Sequence, residues 1–356
     1  MNMLYSNSID EGSLIMTEQV LIGGYTRRVG KGIYRGIFDA TTATVSDIQP
    51  YIKLDNASYL AISKRNILYT VIKDGEQGGI AAYDLTQDSP TFLNAVLAVG
   101  APPAYVAIDE ERQLVYAANY HKGEILVYRI QADGRLALAS TTVHEGHGPR
   151  PEQASAHVHY TDLTPDKRLV VCDLGTDELT TYSVDDTGQL TQVATYKSTP
   201  GFGTRHLVFH PNHKTAYLLG ELSSEVTVLE YHATDGSFTA LNTYSMLPND
   251  WHKANGGAAI RVSKDGNFLY ASNRGYNSIV VYAISEDRRR LREIQQMSTD
   301  GEFPRDFNLS ADDSFLLAVN QNSDNGTLYR RDAVTGLLSA CQKGLSTPEG
   351  VCVLFH

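Results

Sequence analysis

The chain has 356 residues, 42% of them hydrophobic and 20% charged, and its 30 Lys and Arg against 41 Asp and Glu give a formal net charge of −11. No window approaches the run of about 18 apolar residues that crosses a bilayer. Residues 1–20 lack the basic start and apolar stretch of a secretion signal, and an acidic total without a strong basic block argues against nucleic acid as a partner, so a cytoplasmic protein with no membrane role is expected.

In chain order, residues 1–16 fit no repeat and read as a flexible leader, with Met16 an alternative start. From residue 17 onward the chain is periodic. An apolar run closing on Asn or Asp recurs as Val115-Tyr116-Ala117-Ala118-Asn119, Leu169-Val170-Val171-Cys172-Asp173, Leu269-Tyr270-Ala271-Ser272-Asn273 and Leu316-Leu317-Ala318-Val319-Asn320, with weaker copies ending at Gly24, Ile72 and Gly220. Successive markers are 48, 47, 54, 47, 53 and 47 residues apart. Nine residues past four of them stand Tyr128, Tyr182, Tyr282 and Tyr329, each ending a run rich in β-branched residues that reads as a strand. Turn pairs follow at Asp133-Gly134, Thr187-Gly188, Asp235-Gly236 and Thr335-Gly336. Ahead of the markers lie further apolar runs, such as residues 104–108, 207–209 and 259–262, each followed by a polar turn. Four short strands per unit, seven times over, predict an all-β fold: a seven-bladed β-propeller of four-stranded antiparallel blades forming a single domain over residues 17–356. Trp251 is the single tryptophan and no Trp-Asp pair occurs, which argues against the WD40 subtype.

The two ends complement one another. Residues 347–353 resemble a first strand with no second strand after it, and residues 20–24 resemble a second strand with no first before it. The C-terminal strand is therefore expected to be innermost in the blade whose other three strands come from residues 18–50, which closes the ring. Cys172, Cys341 and Cys352 include no C-x-x-C and read as reduced core thiols.

In such a ring the first strand of each blade lines the central channel. An equivalent place on each holds Ser58, Ala104, His159, Arg205, Ala258, Arg305 and Glu349, and the residue after each marker adds Tyr25, Lys73, Tyr120, Leu174, Glu221, Arg274 and Gln321. Unpaired charge facing a narrow channel is costly, so this concentration calls for a ligand. Arginines at one level of an acidic protein suit a small anion, with His159 and Glu221 as the acid/base candidates. His159 is favoured over His157, two residues before it, by register. His144, His147, His210 and His213 read as loop polar groups rather than metal ligands, Arg288-Arg289-Arg290 as a solvated turn, and the Asn and Asp markers as structural. Loops 144–156 and 246–257 are expected to carry substrate choice.

Gly203-Thr204-Arg205-His206-Leu207-Val208-Phe209-His210-Pro211-Asn212, followed by Gly220-Glu221-Leu222, resembles the G-P-R-H-x-x-F-H-P-N and N-E-L segments of the seven-bladed propeller lactonases. That family includes propeller-type bacterial 6-phosphogluconolactonase and fungal carboxymuconate-lactonizing enzyme. Further matches are Gly23-Gly24-Tyr25-Thr26, Asp173-Leu174-Gly175-Thr176-Asp177, Ala271-Ser272-Asn273-Arg274-Gly275 and Phe303-Pro304-Arg305-Asp306-Phe307, so the resemblance runs from about residue 18 to the end. It implies hydrolysis of 6-phospho-D-glucono-1,5-lactone to 6-phosphogluconate in the pentose phosphate pathway, with no cofactor or metal. The implied catalytic set is His159, Arg205, Glu221 and Arg274, with Arg305 and His206 as second candidates; their places in the two rings add Lys73, Gln321 and Glu349, and these five are expected as substrate contacts. Glu221 or His159 would activate water, Arg205 or Arg274 would stabilise the oxyanion, and Arg305 or Lys73 would hold the phosphate. The family's Asn before the glutamate is Gly220 here, which removes an amide able to orient Glu221. The competing readings are a lactonase or cycloisomerase for another carboxylated ring, a propeller that only binds a small anion or a protein partner, and a plain Glu221–Arg205 ion pair. A closed ring needs no partner chain, so a monomer or weak homo-oligomer is expected.

Overall fold

The runs that marked the repeat form the second strand of each blade. Leu114–Asn119, Thr215–Gly220 and Phe315–Asn320 are buried at every residue. With a neighbouring blade on each face, alternation disappears and a continuous apolar run remains. The outermost strands, such as Leu190–Lys197, are largely exposed. At the Thr335-Gly336 turn Gly336 has φ +73°, the left-handed conformation that the pair predicts. The computed structural model describes residues 17–356, so the leader expected over residues 1–16 lies outside the described residues.

The strands form seven four-stranded antiparallel sheets, giving a seven-bladed β-propeller. Six sheets use four strands consecutive in the chain. The seventh runs Gly350–Phe355, Thr17–Gly24, Gly32–Asp39, Thr44–Lys53, with Ile22 opposite Val353. The C-terminal strand therefore covers the open edge of the N-terminal one and closes the ring as the ends of the sequence predict. Among the described residues no helix is long and apolar enough to cross a membrane.

The cores lie between blades. Phe38 of the closing blade meets Phe315 of the preceding blade edge to face, with ring centroids 5.1 Å apart. Two of the repeating tyrosines also latch adjacent blades: Tyr282 and Tyr329 donate their hydroxyls, each at 2.6 Å, to the carbonyls of Ser245 and Ser298. Those carbonyls end the preceding blades' outer strands, Ser237–Ser245 and Leu291–Ser298. Tyr329→Phe is expected to cost about 1 kcal/mol, read as a lower urea midpoint at unchanged slope. An unchanged midpoint would show that the latch contributes nothing.

The marker residues bind local backbone. The Asp173 Oδ1 accepts from the N–H groups of His157 and Gly175 at 2.7 and 2.9 Å, and the Asn320 amide donates to the Thr299 carbonyl at 3.0 Å. His144 is more than a loop polar group, because its ring bridges Asp173 Oδ2 at 2.9 Å and the Tyr182 hydroxyl at 2.7 Å. Cys172 and Cys352 are buried as read, whereas Cys341 lies exposed on an outer strand, with its thiol near the Leu328 carbonyl.

One irregularity positions the site. On the innermost strands the register shifts between Val158 and Tyr160, between Thr204 and His206, and between Pro304 and Asp306. Each shift inserts an extra residue, His159, Arg205 or Arg305, so two successive side chains can face the channel where strict alternation allows one.

Candidate active site

The channel opens at one end into a cavity of about 770 Å³. His159, Arg205 and Arg305 reach it from the bulges, and the next residues, His206 and Asp306, line it one layer deeper. Glu221 enters from the loop start just after one second strand, Thr215–Gly220, and Arg274 from the last residue of another, Phe268–Arg274.

Glu221 lies between two arginines. Its carboxylate accepts from the Arg205 Nε at 2.8 Å and sits 2.9 Å from an Arg274 terminal nitrogen. The two guanidiniums are almost fully enclosed, at 3% and 6% side-chain exposure, while Glu221 keeps 21% and so faces the cavity. Each arginine is also fixed by backbone: Arg205 donates to the Ala258 carbonyl, and Arg274 to the Gly257 carbonyl at 2.7 Å. Burial pushes the Glu221 carboxyl up, but Arg274 and then Arg205 outweigh it and hold it well below the ordinary carboxylate range. Burial and then the Arg274 charge pull the Arg205 guanidinium down, with Glu221 opposing. Two cations share one anion, which leaves net positive charge in an enclosed place.

Beside this triad stands His159. Burial, then the Arg205 charge, push its imidazole well below the ordinary histidine range, so it is neutral at physiological pH. Its buried Nδ1 has no hydrogen-bond partner. His206 is also neutral, for the same first cause, and its Nε2 lies 3.3 Å from an Arg205 nitrogen, which can only donate. The Arg274 Nε likewise lacks a partner. A neutral imidazole beside a net-positive arginine cluster on the wall of one cavity forms a site able to take a proton from one atom and stabilise negative charge on another. Among the described residues no group of three or more His, Cys, Asp or Glu is arranged to hold a metal ion.

A family model described as a seven-bladed β-propeller lactonase matches residues 19–355. The chain belongs to this family. It is 40% identical over 339 residues to 6-phosphogluconolactonase of Bacillus subtilis (strain 168), covering 94% of this chain and 97% of that one. A solved Lactobacillus plantarum protein shares 50% identity at TM-score 0.94, over 96% of this chain and 100% of that one. Pseudomonas aeruginosa periplasmic gluconolactonase, PpgL, shares 28% identity at TM-score 0.90, over 96% and 99%.

Among the site positions read from the sequence, His159, Arg205, His206, Glu221, Arg274, Arg305 and Lys73 all line the one cavity. Gln321 and Glu349 do not. Glu349 Oε2 accepts from three successive backbone N–H groups, those of Arg28, Val29 and Gly30, at 2.8 to 2.9 Å. The Gln321 carbonyl accepts from Arg28 at 2.9 Å, and its amide reaches only the Asn322 side chain. Both residues pin the loop of residues 25–30 over this sector of the mouth. Leu174, in the same ring, is fully buried. His157 supports rather than reacts: it stacks on Tyr120 at 4.3 Å and is 2.9 Å from the Tyr120 carbonyl.

Sequence reasoning named His206 but missed the tyrosines packed with it, Tyr59, Tyr105 and Tyr160, which form an aromatic floor with neighbouring ring centroids 4.0 to 5.4 Å apart. The signal was present, since aromatic or polar residues directly follow Ser58, Ala104, His159, Arg205 and Arg305. The loops expected to carry substrate choice do not line this cavity. Segments 144–156 and 246–257 contribute no lining residue, whereas residues 25–27, 55–59, 73–76 and 100–104 do.

Gly220 is explained by space. A Cβ there would lie 2.5 Å from the Ser223 Oγ and 2.8 Å from the Phe202 carbonyl oxygen, and Glu221 is oriented by its two arginines and by its N–H on the Gly203 carbonyl at 2.8 Å. Gly220→Asn is therefore expected to lower the melting temperature and the turnover together; a variant of undiminished stability and rate would contradict that packing.

Proposed function

We propose that the protein hydrolyses 6-phospho-D-glucono-1,5-lactone to 6-phosphogluconate, a step of the pentose phosphate pathway. The observation that carries this reading is a neutral imidazole with a free buried nitrogen beside a two-arginine, one-carboxylate cluster. The similarity to Bacillus subtilis 6-phosphogluconolactonase supports the choice of lactone.

In this mechanism a water oxygen attacks the lactone carbonyl carbon and its proton passes to the His159 imidazole. The carbonyl π electrons move onto oxygen, where Arg274, with its unpartnered Nε, stabilises the oxyanion. On collapse the bond from the carbonyl carbon to the ring oxygen breaks. The ring oxygen takes the proton back from the imidazolium and leaves as the C5 hydroxyl, and the new carboxyl group ionises. Glu221 is not the base, because a carboxylate held that far below its ordinary range accepts protons poorly; its work is to hold the two guanidiniums side by side. A cation on the cavity wall, Arg305 or Lys73, binds the phosphate.

A second reading is hydrolysis of unphosphorylated glucono-1,5-lactone, favoured by the likeness to Pseudomonas aeruginosa periplasmic gluconolactonase. Initial rates on the phosphorylated lactone, the unphosphorylated lactone and a carboxymuconate lactone, each corrected for spontaneous hydrolysis, decide between them. The highest kcat/KM is expected with the phosphorylated lactone, and preference for either of the others sinks the first reading.

A further inference from the structure

The loop of residues 25–30 carries two successive arginines with different fates. Arg28 is committed, donating to Asp324 and to the Gln321 carbonyl at 2.9 to 3.3 Å. Arg27 has no hydrogen bond or ion pair among the described residues, and its guanidinium lies 4.0 Å from the centroid of the Tyr25 ring. A second guanidinium, that of Arg305, lies 5.7 Å from the same centroid. Arg305 is half-buried and likewise has no hydrogen bond or carboxylate partner among the described residues. All three residues line the cavity that holds the catalytic cluster. The adjacent Asp306 does not neutralise Arg305, because its carboxylate is occupied by Arg261 at 3.1 Å and by the Val353 N–H at 2.9 Å. Lys73 is tied to Asp55 only through backbone, its N–H donating to the Asp55 carbonyl at 2.9 Å, and the cavity lining there also includes the acidic residues Asp55 and Glu76.

The loop is held rigidly. Glu349 gathers the N–H groups of Arg28, Val29 and Gly30, and its own carbonyl accepts from the Tyr25 N–H at 3.1 Å. A Cβ at residue 30 would lie 1.9 Å from the Tyr25 carbonyl oxygen, so the tight turn admits only glycine. Tyr25 and Arg27 are thus presented by a loop that a buried carboxylate pins, at the seam where the ring closes.

We propose that Arg27 and Arg305, gathered on the Tyr25 ring, form the subsite for the phosphate monoester of the substrate, and that Glu349 is a positioning residue for that subsite. Two unpaired guanidiniums present forked donors to a dianion, and stacking on one ring restricts both without using those donors. The inference rests on the lactonase reading, deepens it by assigning the phosphate to Arg305 rather than Lys73, and adds Arg27.

The test compares kcat/KM on 6-phosphoglucono-1,5-lactone with that on glucono-1,5-lactone, and measures inhibition by inorganic phosphate. Arg27→Ala and Arg305→Ala are each expected to reduce the preference for the phosphorylated lactone by about tenfold or more, mainly through KM, and to weaken phosphate inhibition in parallel. Arg27→Lys restores part of the preference, because a point charge remains without the fork. Glu349→Gln shifts the preference in the same direction with kcat less affected, which separates positioning from general unfolding. An unchanged preference in both alanine variants, or an equal loss on both lactones, overturns the subsite. If the wild type accelerates neither lactone, the lactonase reading fails on its own account, and titration calorimetry with inorganic phosphate judges the subsite: binding lost in both alanine variants supports it, and equal or absent binding overturns it.

Discussion

Replacing Arg274 by alanine is expected to lower kcat for lactone hydrolysis by about 10²- to 10³-fold, with a smaller change in KM. Arg205 and Arg274 share the single carboxylate of Glu221, so the cluster carries net positive charge, and Arg274 is the member whose Nε has no partner. Its removal leaves one cation matched by one anion in the cluster, with no surplus positive charge there for a developing oxyanion. Glu221→Gln tests the other half of the cluster. Two enclosed guanidiniums then face each other without a counter-charge, which should cost about 3–5 kcal/mol of stability as well as turnover. Rates must therefore be expressed per folded molecule, with circular dichroism at the assay temperature. Near-normal kcat in both folded variants would remove the cluster from the mechanism.

His159→Gln is expected to lower kcat by about 10²- to 10⁴-fold, the range for loss of a general base. The pH dependence carries the sharper signature. Burial and Arg205 depress the imidazole, so the reactive neutral form is fully populated above the ordinary histidine range and is lost only as pH falls through the depressed value. The wild-type kcat/KM should then be flat from about pH 6.5 through neutrality and decline in acid, and the variant should lack that decline. An acid limb unchanged in His159→Gln would assign the titration to another group. The spontaneous reaction must be subtracted at every pH.

The architecture was legible because propeller blades repeat one packing problem. Each second strand is covered on both faces, so its apolar run and closing Asn or Asp recur at a spacing that sequence alone displays, and the complementary ends announce the closing blade. The site was legible where the same frame held: Arg205 and His159 lie on bulges of one kind, and Glu221 and Arg274 each directly follow a marker at the end of a second strand. It failed at the closure. In the blade of Arg205, Thr204 pairs with Gly220 and His206 with Leu219; in the closing blade Gly350 pairs with Gly24 and Cys352 with Gly23. Val351 therefore takes the place of Arg205, and Glu349 falls two residues short of it. No second strand follows the C-terminal one to anchor the count, and the loop of residues 25–30, which Glu349 and Gln321 hold, is an interaction between distant ends of the chain that no local pattern encodes. In the aromatic floor, Tyr160 was hidden for a related reason: a bulge turns two successive side chains inward, whereas period-2 reading sends the second one into the blade.

The most direct test of the central claim is the rate of 6-phosphogluconate formation from freshly generated 6-phospho-D-glucono-1,5-lactone, followed through an excess of a coupled dehydrogenase, with and without the purified protein. The account predicts acceleration proportional to protein concentration, with kcat/KM on the order of 10⁴ M⁻¹s⁻¹ or higher, and its near-abolition in Arg274→Ala. A progress curve that superimposes on buffer alone at micromolar protein would contradict it and leave the cavity as a binding site without catalysis.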